Sequence, residues 1–385
     1  MNEPITRDTG ASLLWDPLEA VSVLDDWVFQ RSDIYHASAA EIETLKLTMA
    51  RNAVDHHFTH NPTYRQYCQK SGFEPDQLNT LQDLARIPLI TSSQFKISQV
   101  RTGPEEAIVK VCTSSGTQGS MSLVHRDETT LCRFLGSIQG SVDQLLGLDD
   151  AFCLHLGPSK EEAGDLWFSY AMAVTDMLFP TENFVVDGVF DPAKVVRRIQ
   201  EARGDAENVL LVGAPIMFLH LDEYMTENGI LLEDCENLFV ITAGGWKRFR
   251  GSSIPREEFV GHLTKRFQGL DPSRIRDFFN MVELNSILAE CEFHVKHVPP
   301  WIHVLTLDPR TLQPVANGRQ GLLAFVDPTA TSYPGFILTD DYARTVLDGE
   351  CRCGRRGQGI EFTRRVEKVE SRGCALKLDR AQLNR

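Results

Sequence analysis

The segment Val111-Cys-Thr-Ser-Ser-Gly-Thr-Gln-Gly-Ser120 follows an apolar run that begins at Ala107 and precedes a stretch with helical character. Glycines let backbone N–H groups approach an anion, and hydroxyl groups donate further hydrogen bonds to phosphate oxygens. The order therefore predicts a phosphate-binding loop, with an ordinary strand-to-helix turn as the alternative. The loop is neither a Walker motif nor a Gly-x-Gly-x-x-Gly dinucleotide motif. Its candidate phosphate ligands are Thr113, Ser114, Ser115, Gly116, Thr117 and Gly119.

The composition of the chain limits the classes of protein to which it can belong. Its 385 residues can bury a large core, either in one large α/β domain with a smaller unit or in two domains of ordinary size. The 39 Lys and Arg residues against 53 Asp and Glu residues give a formal net charge of −14. A nucleic-acid partner is therefore not expected, because nonspecific binding to a phosphate backbone requires a basic surface.

The N-terminal sequence and the cysteines indicate the compartment. The segment Met1-Asn-Glu-Pro-Ile-Thr-Arg-Asp8 lacks the features of a signal peptide, and no stretch reaches the roughly 18 apolar residues of a membrane span. Nine scattered cysteines, an odd number, do not fit a secreted disulfide framework. We therefore expect a cytoplasmic protein without a membrane span, whose cysteines are reduced thiols or metal ligands.

Hydrophobic periodicity predicts a mostly helical N-terminal region. Ser38-Ala-Ala-Glu41 matches a capping box. The apolar positions after it are expected to cover the main sheet: Ile42, Leu45, Leu47, Met49 and Val54. From Val109 short apolar runs alternate with amphipathic stretches. The predicted strands are 152–156, 209–213 and 238–242, and the predicted helices are 192–202 and 254–267.

The pattern changes after Asn280 to strands separated by turns, at 301–307, 321–326 and 336–339. Alternating strands and helices before that point are typical of a parallel sheet covered on both faces. The sequence therefore predicts an α/β fold with a boundary near residue 285. A helical region at 1–100 is expected to pack on an α/β core at 101–285 that binds nucleotide and acid, followed by a smaller β-rich subdomain at 286–385.

The phosphate loop resembles that of the acyl-adenylate-forming ligases. The spacing of the later segments resembles one branch of them, the LuxE-type acyl-protein synthetases, to which the phenylacetate-CoA ligases are related. The likeness runs from about Pro88 to Leu378 and is carried by Ile87-Pro-Leu-Ile90, Phe95-Lys96, Ala243-Gly-Gly-Trp-Lys-Arg-Phe249, Met281-Val-Glu283, Lys296-His-Val-Pro-Pro-Trp301, Gly321-Leu-Leu-Ala-Phe-Val-Asp327, Tyr333-Pro-Gly-Phe-Ile-Leu-Thr-Asp-Asp341, Arg364-Arg-Val-Glu367 and Arg372-Gly-Cys-Ala-Leu376. The resemblance implies the large N-terminal domain of an adenylate-forming enzyme, with parallel or mixed sheets covered by helices.

The resemblance also implies roles for two acidic residues. Glu283 matches the glutamate that helps hold Mg²⁺ on the ATP phosphates, and a hard carboxylate suits that ion. A solvated acid is the alternative for Glu283. Asp341 corresponds to the aspartate that accepts hydrogen bonds from the ribose hydroxyls, with Asp340 as its competitor.

Further nucleotide contacts follow from the same resemblance. Gly244 and Gly245 would let the backbone lie close to adenine. Trp246 would close the acyl pocket or, alternatively, belong to the core. Arg365, near the end of the likeness, is a further candidate contact to the nucleotide.

The sequence departs from the family pattern in three places. Ser122 and Leu123 stand where the phosphate loop commonly has a lysine, and Val282 replaces the usual threonine before Glu283. The chain also ends where larger relatives continue into a mobile C-terminal lid domain that bears a catalytic lysine, so that domain is expected to be absent. The charge that develops on the α-phosphate then needs another cation, and Lys247 is the candidate, with a surface lysine as the alternative.

Cys374 is the candidate acyl acceptor. In LuxE-type synthetases a thiol near the C-terminus takes the acyl group from the adenylate, before the group passes to a reductase partner. A thiolate is a strong nucleophile, and nearby basic residues favour its charged form. Because the surrounding residues alternate like a strand, an inert apolar cysteine is the alternative.

A second constellation suggests a metal. Cys291 and His297 are six residues apart, and Cys351 and Cys353 follow in a turn rich in glycine and arginine. Together they form a Cys₃His set suited to tetrahedral zinc, and four protein ligands would make that zinc structural. His294 could replace His297, and free thiols beside a surface histidine are the alternative. Similar residues bind structural zinc in some phenylacetate-CoA-ligase-like proteins.

These inferences predict an enzyme that uses ATP and Mg²⁺ to convert a carboxylic acid to acyl-AMP and pyrophosphate and then transfers the acyl group to a thiol. The acceptor would be Cys374, a reductase or carrier protein, CoA or an amine. A catalytically inactive binding subunit is the alternative of another class. The identity of the acid depends on pocket packing that the sequence alone does not reveal.

Overall fold

The structure is a computed structural model that describes residues 18–114, 121–205, 208–245 and 254–366. Its α-helices are α1 (Leu18–Phe29), α2 (Ala39–His60), α3 (Pro62–Lys70), α4 (Gln94–Ile97), α5 (Glu128–Ser141), α6 (Lys160–Ala163), α7 (Trp167–Ala173), α8 (Pro192–Asp205), α9 (Pro215–Glu227) and α10 (Arg256–Arg266). Its strands are β1 (Ile90–Thr91), β2 (Ile108–Thr113), β3 (Leu123–Asp127), β4 (Phe152–His155), β5 (Thr181–Asn183), β6 (Val185–Val186), β7 (Val189–Phe190), β8 (Val209–Gly213), β9 (Leu238–Ala243), β10 (Ile275–Phe279), β11 (Leu288–Glu290), β12 (Lys296–His297), β13 (His303–Leu307), β14 (Gly321–Val326), β15 (Phe336–Glu350) and β16 (Arg356–Arg365).

The N-terminal region is helical, as predicted. The Ser38 hydroxyl accepts from the Glu41 amide, and the Glu41 carboxylate accepts from the Ser38 amide at 2.9 Å, so the capping box that begins α2 is confirmed. The predicted apolar face of α2 is buried, apart from the half-buried Leu47. The helix contacts β16 and so joins the N-terminal region to the last strand described.

One large mixed sheet forms the centre of the fold, in the order β13-β14-β15-β16-β12-β11-β10-β9-β8-β4-β5, with β1 pairing to β15. Strands β5, β4, β8, β9 and β10 run parallel, and the remaining pairs from β10 to β13 are antiparallel. The apolar runs of β4, β8 and β9 are typical of buried parallel strands, whereas β5 and β10 contain polar residues. The mixed α/β fold is therefore confirmed. Because the hydrogen-bonded sheet continues across residue 285, the division of the chain near that position stays a prediction.

One expectation of local structure is wrong, and one strand is longer than predicted. The phosphate loop leads into β3, which pairs antiparallel with β2, rather than directly into a helix. The alternation from exposed Leu123 to buried Val124 and Arg126 has the period of a strand. The strand predicted at 336–339 is confirmed but is longer than predicted. It continues as β15 to Glu350, because its second half pairs with β16 in a hairpin that tolerates polar and charged residues.

Within the described part of the chain, no helix is both long enough and apolar enough to cross a membrane. The cytoplasmic location stays a prediction.

Candidate active site and metal centre

The β2–β3 hairpin holds the two ends of the predicted phosphate loop together. The Ser122 amide donates to the Ser114 hydroxyl at 2.9 Å, and the Ser114 amide donates to the Ser122 carbonyl at 3.1 Å. Thr113 is fixed from the other side, since its amide and hydroxyl both donate to the Asp165 carbonyl. The candidate ligands Ser115, Gly116, Thr117 and Gly119 lie outside the described residues, between these anchored ends.

The glycine pair follows β9 at the carboxyl end of the parallel strands. Gly244 and Gly245 have φ values of +81° and +57°, in the left-handed region that side chains disfavour. A Cβ at Gly244 would overlap the ring of Phe168 in α7, whereas a Cβ at Gly245 would meet open space. Sheets of this type commonly bind ligands at the carboxyl ends of their strands, which agrees with the role predicted for the pair.

The turn after β10 carries Glu283, whose side chain is buried. Arg126 lies against this turn: its Nη2 donates to the Val282 carbonyl at 2.7 Å, and its Nε donates to Asn285 Oδ1 at 3.2 Å. The guanidinium carbon of Arg126 lies 3.6 Å from the centre of the Trp167 ring. The loop anchor at Asp165, the start of α7 and the turn with Glu283 therefore form one connected region.

Buried charges surround Tyr333 beside this turn. Burial raises the pKa of the Tyr333 hydroxyl, and the positive charge of Arg126 opposes the rise, while Asp327 and Glu283 add to it. Burial also raises the pKa of Asp327, although hydrogen bonds from Thr329 and Asn285 favour its ionised form. The region is thus an enclosed polar environment in which electrostatic interactions are strong.

The two acidic candidates for ribose binding have different partners. Asp341 Oδ1 lies 3.4 Å from Arg365 Nε, and the two residues are register partners on β15 and β16. Asp340 Oδ2 instead accepts a hydrogen bond from Ser92 at 3.2 Å. The structure therefore brings the predicted residues Asp341 and Arg365 into contact at one end of the β15–β16 hairpin.

The four predicted metal ligands meet between two turns. Cys291 and His297 flank the β11–β12 turn, and Cys351 and Cys353 lie in the β15–β16 turn. Their candidate ligand atoms all lie within 4.8 Å of one another, and Cys353 Sγ is 3.4 Å from His297 Nε2. A tetrahedron with Zn–S bonds of about 2.3 Å has edges of about 3.8 Å. The Cys₃His set thus fits a tetrahedral zinc ion.

The structure places His297, and not the alternative His294, beside the three cysteines. His294, the alternative ligand, contacts Arg256 instead: its Nδ1 lies 2.9 Å from Arg256 Nη2. Burial raises the pKa of the Cys291 thiol to about 12 and lowers the pKa of His297 to about 4. Without a cation both side chains are therefore neutral, and a bound metal would displace thiol protons.

Several other predicted residues also lie outside the described part of the chain, and one functional neighbour was not predicted from the sequence. Lys247 and Cys374 lie outside the described residues, as does Trp246. Arg126 was not recognised from the sequence, although a strand alternation that places an arginine on the buried face of β3 is a signal for it. Lysine and arginine are almost never fully buried without a specific partner.

Comparison with known proteins decides the family. A sequence model of the family described as "Acyl-protein synthetase, LuxE" matches residues 14–382. The chain belongs to the LuxE acyl-protein synthetases. The long-chain-fatty-acid–luciferin-component ligase of Aliivibrio fischeri is 34% identical over 364 residues, which are 93% of this chain and 94% of the relative. The ligase of the same name from Vibrio harveyi is 31% identical over 376 residues, 97% of each chain.

Solved structures agree with the fold of a LuxE synthetase. An open conformation of 2-hydroxyisobutyryl-CoA ligase, in complex with 2-HIB-AMP and CoA, superposes with a TM-score of 0.67 at 19% identity, covering 89% of this chain and 79% of that one. This likeness shows a shared fold. As a LuxE acyl-protein synthetase, the protein is a ligase that activates an acyl group with ATP and transfers it.

Proposed function

We propose that the protein activates a long-chain fatty acid and passes the acyl group to its own Cys374. The observation that carries the proposal is the similarity to long-chain-fatty-acid–luciferin-component ligases over nearly the whole chain. The carboxylate oxygen attacks the α-phosphorus of ATP, and pyrophosphate leaves. The Cys374 thiolate then attacks the acyl carbonyl, and AMP leaves with the electron pair of the broken bond.

The nucleotide would bind at the connected region beside α7. We assign its phosphates to Thr113, Ser114 and the loop between them and Ser122. The hydrogen bonds that hold Ser114 and Ser122 together support this assignment, because joined ends reduce the entropy that the segment between them loses on binding. Gly244 and Gly245 would lie along the adenine, and the Asp341–Arg365 pair would bind the ribose.

Magnesium and zinc would have separate sites. Glu283 suits Mg²⁺ because it is a buried carboxylate in a turn whose backbone accepts a hydrogen bond from Arg126, and the ion would neutralise charge on the phosphates. Zinc would be held by Cys291, His297, Cys351 and Cys353 and would have a structural role. Lys247 is assigned to the developing charge on the α-phosphate. An acyl-accepting protein, such as a reductase or a carrier protein, would receive the group from Cys374.

The test is pyrophosphate exchange. Labelled pyrophosphate should enter ATP only when a carboxylic acid and Mg²⁺ are present, and a panel of fatty acids of increasing length should give the highest rate with long chains. Glu283→Ala and Thr117→Ala should each lower the rate about 100-fold or more, the loss expected for a group that stabilises the reaction centre. Glu361→Gln, at an exposed pair with Arg344, should keep the wild-type rate. Absence of ATP binding by calorimetry would contradict the proposal.

A further inference from the structure

Arg126 is a buried cation whose described contacts include no acid. Its side chain is 0% exposed, and its guanidinium lies on the Trp167 ring. Its hydrogen-bond acceptors within the described residues are a carbonyl, an amide oxygen and a phenol, and Nη1 has no partner there. Asp327 and Glu283 influence the neighbouring Tyr333, but neither forms a described ion pair with Arg126. Burying a charge without a direct ion pair lowers stability, so packing alone would favour an apolar side chain at this position.

The contacts of Arg126 flank Glu283 on both sides. One guanidinium group reaches the Val282 carbonyl, immediately before Glu283, and the Asn285 side chain, two residues after it. The planar fork fixes both acceptors relative to each other, which a single ammonium group cannot do. Because residue 282 is a valine, no side-chain hydroxyl is available at that position to hold the turn.

The acceptors of Arg126 are themselves held in place. The backbone N–H of Asn285 donates to Asp327 Oδ2 at 3.1 Å, and the side-chain Nδ2 of Asn285 donates to the Thr130 carbonyl at 2.8 Å. Trp167, beneath the guanidinium, donates to Asn280 Oδ1 at the end of β10. Arg126 therefore connects β3 and α7 with the turn that carries Glu283.

We propose that Arg126 is a positioning residue that fixes the turn bearing Glu283 and thereby sets the affinity of the site for Mg²⁺. The inference rests on the proposed function, in which Glu283 holds that ion. A carboxylate that is held in one orientation loses less entropy when it binds a cation, and partners behind a ligand commonly change metal affinity by roughly 10- to 100-fold. Arg126 acts through the turn and need not touch the ion.

The test compares Arg126→Lys with Arg133→Lys. Both arginines are buried, but Arg133 lies on α5 and pairs with Asp25 at 2.7 Å and with the Thr329 carbonyl. Amide hydrogen exchange of the nucleotide-free protein should be faster at 281–287 in Arg126→Lys and unchanged there in Arg133→Lys. The Mg²⁺ concentration at half-maximal pyrophosphate exchange should rise roughly 10-fold or more in Arg126→Lys, with a rate near wild type at saturating Mg²⁺.

The outcomes separate this inference from the proposed function. If the wild type exchanges pyrophosphate but Arg126→Lys keeps the wild-type Mg²⁺ requirement or the wild-type protection at 281–287, the inference is wrong and the proposed function stands. If the wild type shows no exchange, both are wrong. Should Arg126→Lys fail to fold, Asn285→Ser removes the acceptor of Arg126 Nε and is measured in the same two ways.

Discussion

Lys46 carries a buried ammonium group on α2. Its Nζ donates to Gln358 Oε1 at 2.8 Å, and burial lowers the pKa of Lys46 to about 8, although the charge of Asp348 opposes the shift. The Gln358 amide also accepts from the Val304 amide and donates to the Val304 carbonyl. Removing the amine would therefore leave no unsatisfied group at Gln358.

We expect Lys46→Met to stabilise the protein at pH 7. The folded-state pKa of about 8 lies below the ordinary value of 10.5, so between these values the unfolded chain binds more protons than the folded chain. The wild type thus gains stability as the pH rises through this window, and the cost of burial is fully present below it. The variant should unfold with a free energy higher by about 1–3 kcal/mol at pH 7, and the difference should shrink toward pH 10.5.

Urea denaturation at pH 7 and at two values between about 8 and 10.5 measures this difference. Lys265→Met, at an exposed position of α10, is the control and should change stability by less than about 0.5 kcal/mol at each pH. A wild type that is more stable than Lys46→Met at pH 7 would show that the hydrogen bond to Gln358 outweighs the cost of burial.

Cys374 is the residue on which the proposed transfer depends. With a labelled long-chain acid and ATP, the wild type should acquire a hydroxylamine-sensitive thioester. Cys374→Ser should lose at least about 90% of this label yet keep pyrophosphate exchange, because the thiol acts after the adenylate forms and serine is a far weaker nucleophile. Cys132→Ser, which removes an exposed thiol, should keep the label. Transfer to CoA at the wild-type rate by Cys374→Ser would make direct transfer the better account.

At the scale of elements, the four candidate metal ligands bring together the β11–β12 turn and the β15–β16 turn. Purified protein should contain about one zinc ion per chain, and Cys351→Ser should lose it. Because structural zinc contributes folding free energy, the variant should be less stable by several kcal/mol, while pyrophosphate exchange changes less. Metal analysis and thermal unfolding test this, with Cys235→Ser, another buried thiol, as the control that keeps zinc. Zinc-free wild type would contradict the assignment.

The end of β9 offers a matched pair of glycines. Gly244 and Gly245 both have positive φ, so alanine at either position costs about 1–2 kcal/mol of backbone strain. Only Gly244→Ala also places a Cβ against Phe168. We expect Gly244→Ala to lower the free energy of unfolding by about 1–3 kcal/mol more than Gly245→Ala. Adding Phe168→Ala to Gly244→Ala should reduce this additional loss of unfolding free energy. If the double variant loses as much as before, the Phe168 ring is not the cause.

Across the whole molecule, the parallel half of the sheet was the easiest part to predict. Strands β8 and β9 read as continuous apolar runs, because both of their faces are buried. The second half of β15 was missed because Asp340, Asp341, Arg344 and Asp348 interrupt its apolar pattern. Pairing with β16, rather than burial, keeps that segment extended.

A candidate site could be predicted from the sequence when its residues lie close together along the chain. The convergence of Cys291, His297, Cys351 and Cys353 was predictable because few residue types bind zinc and the four residues form two pairs that are close in sequence, but zinc binding itself stays a prediction. Contact between Asp341 and Arg365 confirms that two candidates lie together, but their role stays a prediction. Arg126 was missed because its acceptors lie 156 and 159 residues away, and no local spacing indicates such contacts.

The contact between Lys46 and Gln358 spans 312 residues of the 385-residue chain. A ribosome adds about 5–20 residues per second, so roughly 15–60 s pass between the synthesis of Lys46 and the synthesis of Gln358. During this interval α2 can pack on the neighbouring N-terminal helices, but the part of it that contacts β16 lacks that strand and stays open to chaperones and proteases. The pace of translation, rather than the folding rate of the helix, therefore decides when this part of the core closes.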